Sequence, residues 1–224
     1  MLRYGIPDYR LPQDVLDREV NYIKRLGVAI ETETSIGQER PIQRLLDDGF
    51  KAVYIACGAH KSRKMNIEGE DAQGVIHGID YLGLLNRKQD VHTGKKVVVV
   101  GGGDVAIDAA REAVRQGAEQ VSIIYRRSRA EMPAVDGEIK AAEEEGIKIE
   151  ILQNPIEVLT EGNIVTAIKC IKMELGEPDD SGRRRPVPVE GSEYDISCDM
   201  VIPAIGQQVN HDFTSGTEGI ELTR

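Results

Sequence analysis

The spacing of apolar residues divides the chain into stretches of different kinds. After Pro12, Leu16, Val20 and Ile23 fall at i, i+4 and i+7, which predicts a helix that Gly27 closes. Val28 to Thr32 reads as a strand, Ile42 to Leu46 as a short helix ending near Gly49, and the apolar run Ala52 to Ala56 as a buried strand leading into Cys57-Gly58-Ala59. Residues 61–94 are polar and carry Gly69, Gly74 and Gly78, so they read as a connection, with a short helix from Asp80 to Leu85 capped by Asp80.

From Lys95 the pattern is sharper. Val97-Val98-Val99-Val100 is a continuous β-branched run, as expected of a strand covered on both faces. Glycines follow, then an Ala-rich helix from Asp104 to Gln116 stopped by Gly117, and a second strand from Val121 to Tyr125. Val135, Ile139 and Ala142 mark the inner face of another helix, which ends at Gly146, and Ile147 to Leu152 is a third strand. This β-α-β-α-β order is half of a doubly wound dinucleotide fold. Beyond Pro155, Val158 to Leu159, Ile164 to Glu174 and Pro186 to Ile196 read as antiparallel strands, broken at Gly162-Asn163 and Pro178 to Gly182. Met200-Val201-Ile202 then supplies a last buried strand running into Ala204-Ile205-Gly206, so a β-meander is inserted before it; the polar tail is expected to be loose.

Composition narrows the function classes. With no Trp and two Phe, the core must be aliphatic. Twenty-eight basic against 38 acidic residues give a net charge of −10, which does not attract nucleic acid. The basic run Arg183-Arg184-Arg185, beside Asp179 and Asp180, reads as a solvated hairpin tip. Cys57, Cys170 and Cys198 are too far apart for a disulfide scaffold or a zinc site, and Cys57, following a buried strand, reads as an inert small hydrophobe. The four histidines show no metal-ligand spacing. No apolar run is long enough for a membrane span, and residues 1–7 lack the core of a signal peptide, so a reducing cytoplasm is the expected setting.

The chemistry concentrates in Gly101-Gly102-Gly103-Asp104-Val105-Ala106, a G-x-G-x-x-A between an apolar strand and an Ala-rich helix. Gly101 permits the tight turn, Gly103 lets a pyrophosphate approach the backbone, and Ala106 lets the helix pack closely on the sheet. The helix N-terminus offers open N–H groups and a partial positive charge. Asp104 and Asp108 are placed either to face a ligand or simply to favour the helix dipole, and Glu138 either to meet a ribose or to face solvent. About 20 residues on, an NAD site would carry a carboxylate for the ribose 2′-hydroxyl. Tyr125-Arg126-Arg127-Ser128-Arg129 stands there instead. Guanidiniums grip a phosphate through forked, charge-assisted hydrogen bonds, which points to the 2′-phosphate of NADPH, with Arg126 and Arg127 favoured over the more distant Arg129.

Several motifs together resemble a known family. Met1-Leu2-Arg3-Tyr4-Gly5-Ile6-Pro7-Asp8-Tyr9-Arg10-Leu11-Pro12 resembles the LxYGIPxFRLP stretch of glutamate synthase small (β) subunits and their relatives. Gly101 to Asp108 is similar to their GGGDxAxD motif, and Tyr125-Arg126-Arg127 with Glu131-Met132-Pro133-Ala134 to their YRR…MPA signature. Ala56-Cys57-Gly58-Ala59 and Ala204-Ile205-Gly206 resemble the two crossings between the flavin and pyridine-nucleotide domains. The resemblance runs from residue 1 to about 210 and implies an α/β fold: a Rossmann-like three-layer NAD(P)-binding domain with an inserted β-meander, flanked by partial FAD-domain segments. The expected divisions are 1–60 as part of the FAD-binding domain, 61–94 as the connection, 95–206 as the NADPH-binding domain, and 207–224 as a tail returning towards the FAD domain.

The resemblance also implies a reaction, in which NADPH reduces FAD and electrons pass to iron–sulfur clusters. The implied partners are the FAD-domain remainder of a parent chain, an iron–sulfur domain, and a glutamate synthase large subunit or similar acceptor. The family's earlier G-x-G-x-x-G, its later GD motif and its cysteine clusters do not occur in these residues, so the expectation is an excised NADPH-binding domain that holds FAD only with flanking segments. No catalytic acid or base is assigned, because hydride transfer needs proximity and not a titrating side chain. Two further readings compete: a free-standing NADP-dependent dehydrogenase, for which a Y-x-x-x-K pair is lacking at every tyrosine, and a non-catalytic NADPH sensor.

Overall fold

The computed structural model describes residues 1–37, 40–179, 182–211 and 214. In chain order the helices are α1 (Gln13–Arg25), α2 (Ile42–Asp47), α3 (Gly78–Asn86), α4 (Asp104–Arg115) and α5 (Asp136–Glu144). The strands are β1 (Lys61–Ser62), β2 (Lys96–Val100), β3 (Gln120–Tyr125), β4 (Lys148–Ile151), β5 (Gln153–Glu161), β6 (Ile164–Pro178), β7 (Arg184–Pro188), β8 (Tyr194–Ser197), β9 (Met200–Pro203) and β10 (Gln207–Gln208). The chain forms two compact units: Met1–Leu16 with Ser62–Gly206, and Asp17–Lys61 with Gln207–Arg224.

The first unit is built on a parallel sheet of order β4-β3-β2-β9. Side chains alternate between the two faces of a strand, and here each face has its own cover. Val97 and Val99 of β2, Ile123 of β3 and Ile202 of β9 pack with Tyr81 and Leu82 of α3, the alanines of α4, and Ile139 and Ala142 of α5. Val98 and Val100 of β2, Ile124 of β3 and Val201 of β9 pack on the opposite side with Val158 of β5 and Val165, Ile168 and Cys170 of β6. The result is three layers: helices, parallel sheet, antiparallel meander. This explains the unbroken valine run, since a strand with two dry faces has no position for a polar residue. Ala106, Ala109, Ala110 and Ala113 are all fully buried, so α4 lies close on the sheet.

The meander is longer than its sequence pattern. β6 pairs antiparallel with β5 on one side and with β7 and β8 on the other. The stretch expected as one strand from Pro186 to Ile196 is two, because Gly191 turns the chain at a positive φ of 74°. Arg184 and Arg185 belong to β7. Arg184 donates to the carbonyls of Leu175 and Gly176.

Residues 62–94 are an integral part of this unit. Ile76 N–H donates to Val201 O at 3.1 Å and Val201 N–H to Gly74 O at 2.9 Å, so the segment runs beside β9. Gly74 allows this approach, because a Cβ there would lie 2.9 Å from Asp199 O. Asp80, expected as the cap of α3, lies within its first turn, and His77 is the cap. Val135, expected on the inner face of α5, is instead its exposed cap, whereas Ile139 and Ala142 are buried. Residues 1–12 fold back within the same unit: Asn86 Nδ2 donates to the carbonyls of Tyr4 and Ile6, both at 3.0 Å, and the Arg87 guanidinium lies 4.6 Å from the centre of the Tyr4 ring.

In the second unit the expected strands at 28–32 and 52–56 do not form, although α2 forms as expected. A strand is stabilised by its neighbours, and among the described residues no strand pairs with either segment. Their apolar side chains face outward, with Tyr54 92 % exposed. Without the strand before it, Cys57 is exposed too, contrary to the expected buried position. Of the apolar stripe of α1, Leu16 and Val20 are half-buried and Ile23 is exposed.

Ile107 ties α4 to the sheet from a fully buried position. Ile107→Ala is expected to cost about 2–5 kcal/mol of stability, read from urea unfolding.

Candidate functional site

The glycine-rich turn lies at the C-terminal edge of the parallel sheet, where ligands of doubly wound folds bind. Gly101 has φ 145°, and a Cβ there would stand 2.4 Å from the carbonyl oxygen of Ala204. Two hydrogen bonds fix this approach: Gly101 N–H to Ile124 O at 3.0 Å and Ala204 N–H to Val100 O at 2.7 Å. Gly102 faces the ring of Tyr125, 2.6 Å from where its Cβ would be, and the Tyr125 hydroxyl donates to Glu131 O at 2.7 Å. Gly103 is different. The nearest atom to its absent Cβ is Pro133 Cγ at 3.7 Å, so the backbone there can be approached.

Gly103 also caps α4, and its carbonyl accepts from Ala106 N–H at 2.9 Å and Ile107 N–H at 3.2 Å. The N–H groups of Asp104 and Val105 precede the first intrahelical bonds and point out of the helix start. The Asp104 carboxylate accepts from Val135 N–H at 3.2 Å and so ties the start of α5 to the start of α4. Ala106 is fully buried. The start of α3 closes one side: a Cβ on Gly78 would lie 3.1 Å from Val105 Cγ1 and 3.2 Å from Ala204 Cβ. The preceding His77 has a buried Nδ1 with no hydrogen-bond partner among the described residues. Ile205 and Gly206 are exposed, and Gly206 O accepts from Arg63 N–H at 3.0 Å.

The three arginines after β3 have three different environments. Arg126 is exposed, and its side chain makes no hydrogen bond or ion pair with a described residue. Arg127 is 6 % exposed; its Nε donates to Arg184 O and its Nη2 to Asp179 Oδ2, both at 2.7 Å. Arg129 forms a two-pronged pair with Glu143 at 2.6 and 2.9 Å. Between them Ser128 and Glu131 form a capping box around a single 3₁₀ turn, Arg129–Glu131, which fixes the loop.

Asp108 and Glu138, which the sequence left between ligand and solvent, join an internal charge network. Asp108 is 3 % exposed, and Arg10 Nη1 donates to both its oxygens at 2.8 Å. Burial pushes the Asp108 carboxyl above the ordinary carboxylate range, and the Arg10 hydrogen bond opposes the rise. Glu138 pairs with Arg111 at 2.5 Å and with Arg10 at 3.5 Å. The Arg111 and Arg115 guanidiniums lie 4.7 and 4.0 Å from the centre of the Tyr9 ring, and both arginines bind Glu145. No sequence pattern pairs Tyr9 and Arg10 with residues about a hundred positions away. Cys170 and Cys198 are buried, and burial lifts both thiols to about 12, so neither is a nucleophile at neutral pH.

The profile of the pyridine nucleotide-disulphide oxidoreductase family matches residues 11–224. The chain belongs to that family. It is 48 % identical over 219 residues to the NADP(+)-dependent formate dehydrogenase subunit beta of Moorella thermoacetica, covering 96 % of this chain and 31 % of that protein. It is 46 % identical over 228 residues to the NADPH-Fe(3+) oxidoreductase subunit beta of Geobacter sulfurreducens, covering all of this chain and 34 % of that one. The glutamate synthase [NADPH] small chain of Escherichia coli is 36 % identical over 219 residues, with 92 % and 46 % covered. The chain therefore spans about a third to a half of the length of these relatives. Among solved structures, FprA of Mycobacterium tuberculosis in complex with NADPH superposes with a TM-score of 0.78 at 19 % identity, over 96 % of this chain and 62 % of that one, which establishes the likeness of fold. No helix among the described residues is long and apolar enough to cross a membrane.

The charge network carries a pH dependence. Hydrogen bonds from Arg115, aided by Arg111, lower the Glu145 carboxyl from its ordinary 4.5 to about 2. A depressed carboxylate stabilises the fold above its unfolded pKa, and that contribution is lost as pH falls through the folded value. Stability is therefore expected to drop between about pH 4.5 and 2, and Glu145→Gln should flatten that part of the curve in thermal unfolding followed against pH.

Proposed function

We propose that the first unit is the NADPH-binding module of a flavoprotein oxidoreductase, which takes hydride from NADPH into FAD and passes electrons on to iron–sulfur clusters. The observation that carries the reading is Arg126: an exposed guanidinium, unpaired among the described residues, on the first residue after β3, where an NAD site would hold a carboxylate. Gly102 lies against Tyr125, so this arginine follows directly on the residue that supports the glycine turn. The names of the relatives, which carry NADP or NADPH as the nucleotide, support the same choice.

The residues present fit such a nucleotide. No atom lies closer than 3.7 Å to the Cβ position of Gly103, the first N–H groups of α4 point outward, and their partial positive charge suits a pyrophosphate. Gly101, Gly102, Gly103, Asp104, Val105 and Ala106 form the cradle in this reading, with Ala204, Ile205 and Gly206 along its opposite rim. NADPH supplies the hydride; the protein supplies position and electrostatics. No second glycine cradle is present among the described residues, so the flavin is assigned to the FAD-domain remainder of a parent chain. An iron–sulfur domain and a large subunit or similar acceptor complete the proposed route, and the reducing cytoplasm is the proposed setting, in keeping with the free cysteines.

The test is calorimetry with both nicotinamide cofactors. NADPH is expected to bind at least about tenfold more tightly than NADH, the equivalent of one charge-assisted contact. Arg126→Ala is expected to reduce that preference to within about twofold, with NADH affinity unchanged. Equal affinities in the unaltered protein would defeat the reading.

A further inference from the structure

We propose that the adjacent arginines have separate tasks: Arg126 meets the 2′-phosphate, while Arg127 anchors the loop to the inserted meander, with Asp179 as the positioning residue behind nucleotide selectivity. The inference rests on the function proposed above and concerns which side chains set its specificity.

Arg127 is buried, and its Nε and Nη2 are committed to Arg184 O and Asp179 Oδ2 at 2.7 Å. A guanidinium so placed is held by its partner, because an unpaired buried charge costs several kcal/mol. A phosphate seeking this arginine would have to displace the Asp179 carboxylate or sit beside it, and both are anions. The Arg127 carbonyl is engaged as well, accepting from Leu152 N–H at 3.1 Å. Asp179 is itself fixed at the turn between β6 and β7, where its N–H donates to Arg183 O at 2.7 Å and its carbonyl accepts from Gly182 N–H at 2.8 Å. The meander thus reaches past the end of β3 and holds the backbone one residue from Arg126. Arg126 has no such tie among its side-chain atoms, so the order of its backbone depends on its neighbour. A contact whose backbone is already ordered pays less entropy on binding.

The experiment is calorimetry of NADPH and NADH on the full chain, with unfolding followed in parallel, for Asp179→Asn, Asp179→Glu, Arg127→Lys and Arg126→Ala. Asp179→Asn keeps shape and removes charge; it is expected to weaken NADPH about threefold and NADH by much less. Asp179→Glu is expected to restore most of the loss. Arg127→Lys keeps the charge and loses the fork, and should fall between Asp179→Asn and the unaltered protein. Arg126→Ala should cost more NADPH affinity than either change at Arg127 or Asp179. Equal weakening of NADPH and NADH by Asp179→Asn, or no weakening of either, would overturn the inference, because a purely structural pair affects both nucleotides alike. A larger loss from Arg127→Lys than from Arg126→Ala would overturn it as well. If the unaltered protein shows no NADPH preference, the functional reading itself falls; if the preference stands and Asp179→Asn leaves it intact, this inference falls alone.

Discussion

The approach of Ala204 to Gly101 is the constraint on which the site depends. Two backbones meet there with no room for a Cβ, one leaving the inner strand β2 and the other leaving the edge strand β9. Only because they meet does the chain after β2 turn sharply enough to start α4 at Gly103, with its N-terminus at the strand ends. The start of α3 packs against the same two elements through Gly78. Three small residues, Gly101, Gly78 and Ala204, therefore serve close packing of protein against protein, whereas a Cβ on Gly103 would meet nothing nearer than Pro133 Cγ, at the ordinary contact distance of 3.7 Å.

The meander has a second role besides covering the sheet. Its Val158, Val165, Ile168 and Cys170 form the dry face opposite the helices, which is what lets β2 be valine at four successive positions. Its turn between β6 and β7 also carries Asp179 to Arg127. One insertion thus supplies core and loop anchorage together. A corresponding tie holds the other layer, where Arg10 on the N-terminal segment binds Asp108 at the second turn of α4, with the Tyr9 ring against two arginines of the same helix. The helix that starts at the glycine cradle is thereby held from its sheet side by alanines and from its outer side by charge.

Much of the fold was legible because it follows local rules. The valine run, the glycines after it, the alanine spacing of α4 and the stop at Gly117 each express a local geometric demand, and each element formed within a residue or two of its expected bounds. The two strands expected in the second unit did not form, for the opposite reason: apolar runs at 28–32 and 52–56 satisfy a local pattern, but a strand exists only beside another. Cys57 followed that error to the surface.

The sequence by itself determined the class of the molecule, a glycine-turned strand–helix unit with cationic residues after its second strand, because these features depend on neighbours a few positions apart. The tertiary structure decided what each charged residue does. Arg126 and Arg127 were equal candidates in sequence, with Arg129 behind them, yet one faces solvent, one is buried against Asp179 and the third is paired with Glu143. Asp108 and Glu138 looked equally free to meet a ligand until Arg10 paired with Asp108 and Arg111 with Glu138. A charge is assigned by whatever opposite charge lies within a few ångströms, and that partner is chosen by how the layers pack, which spacing along the chain does not encode.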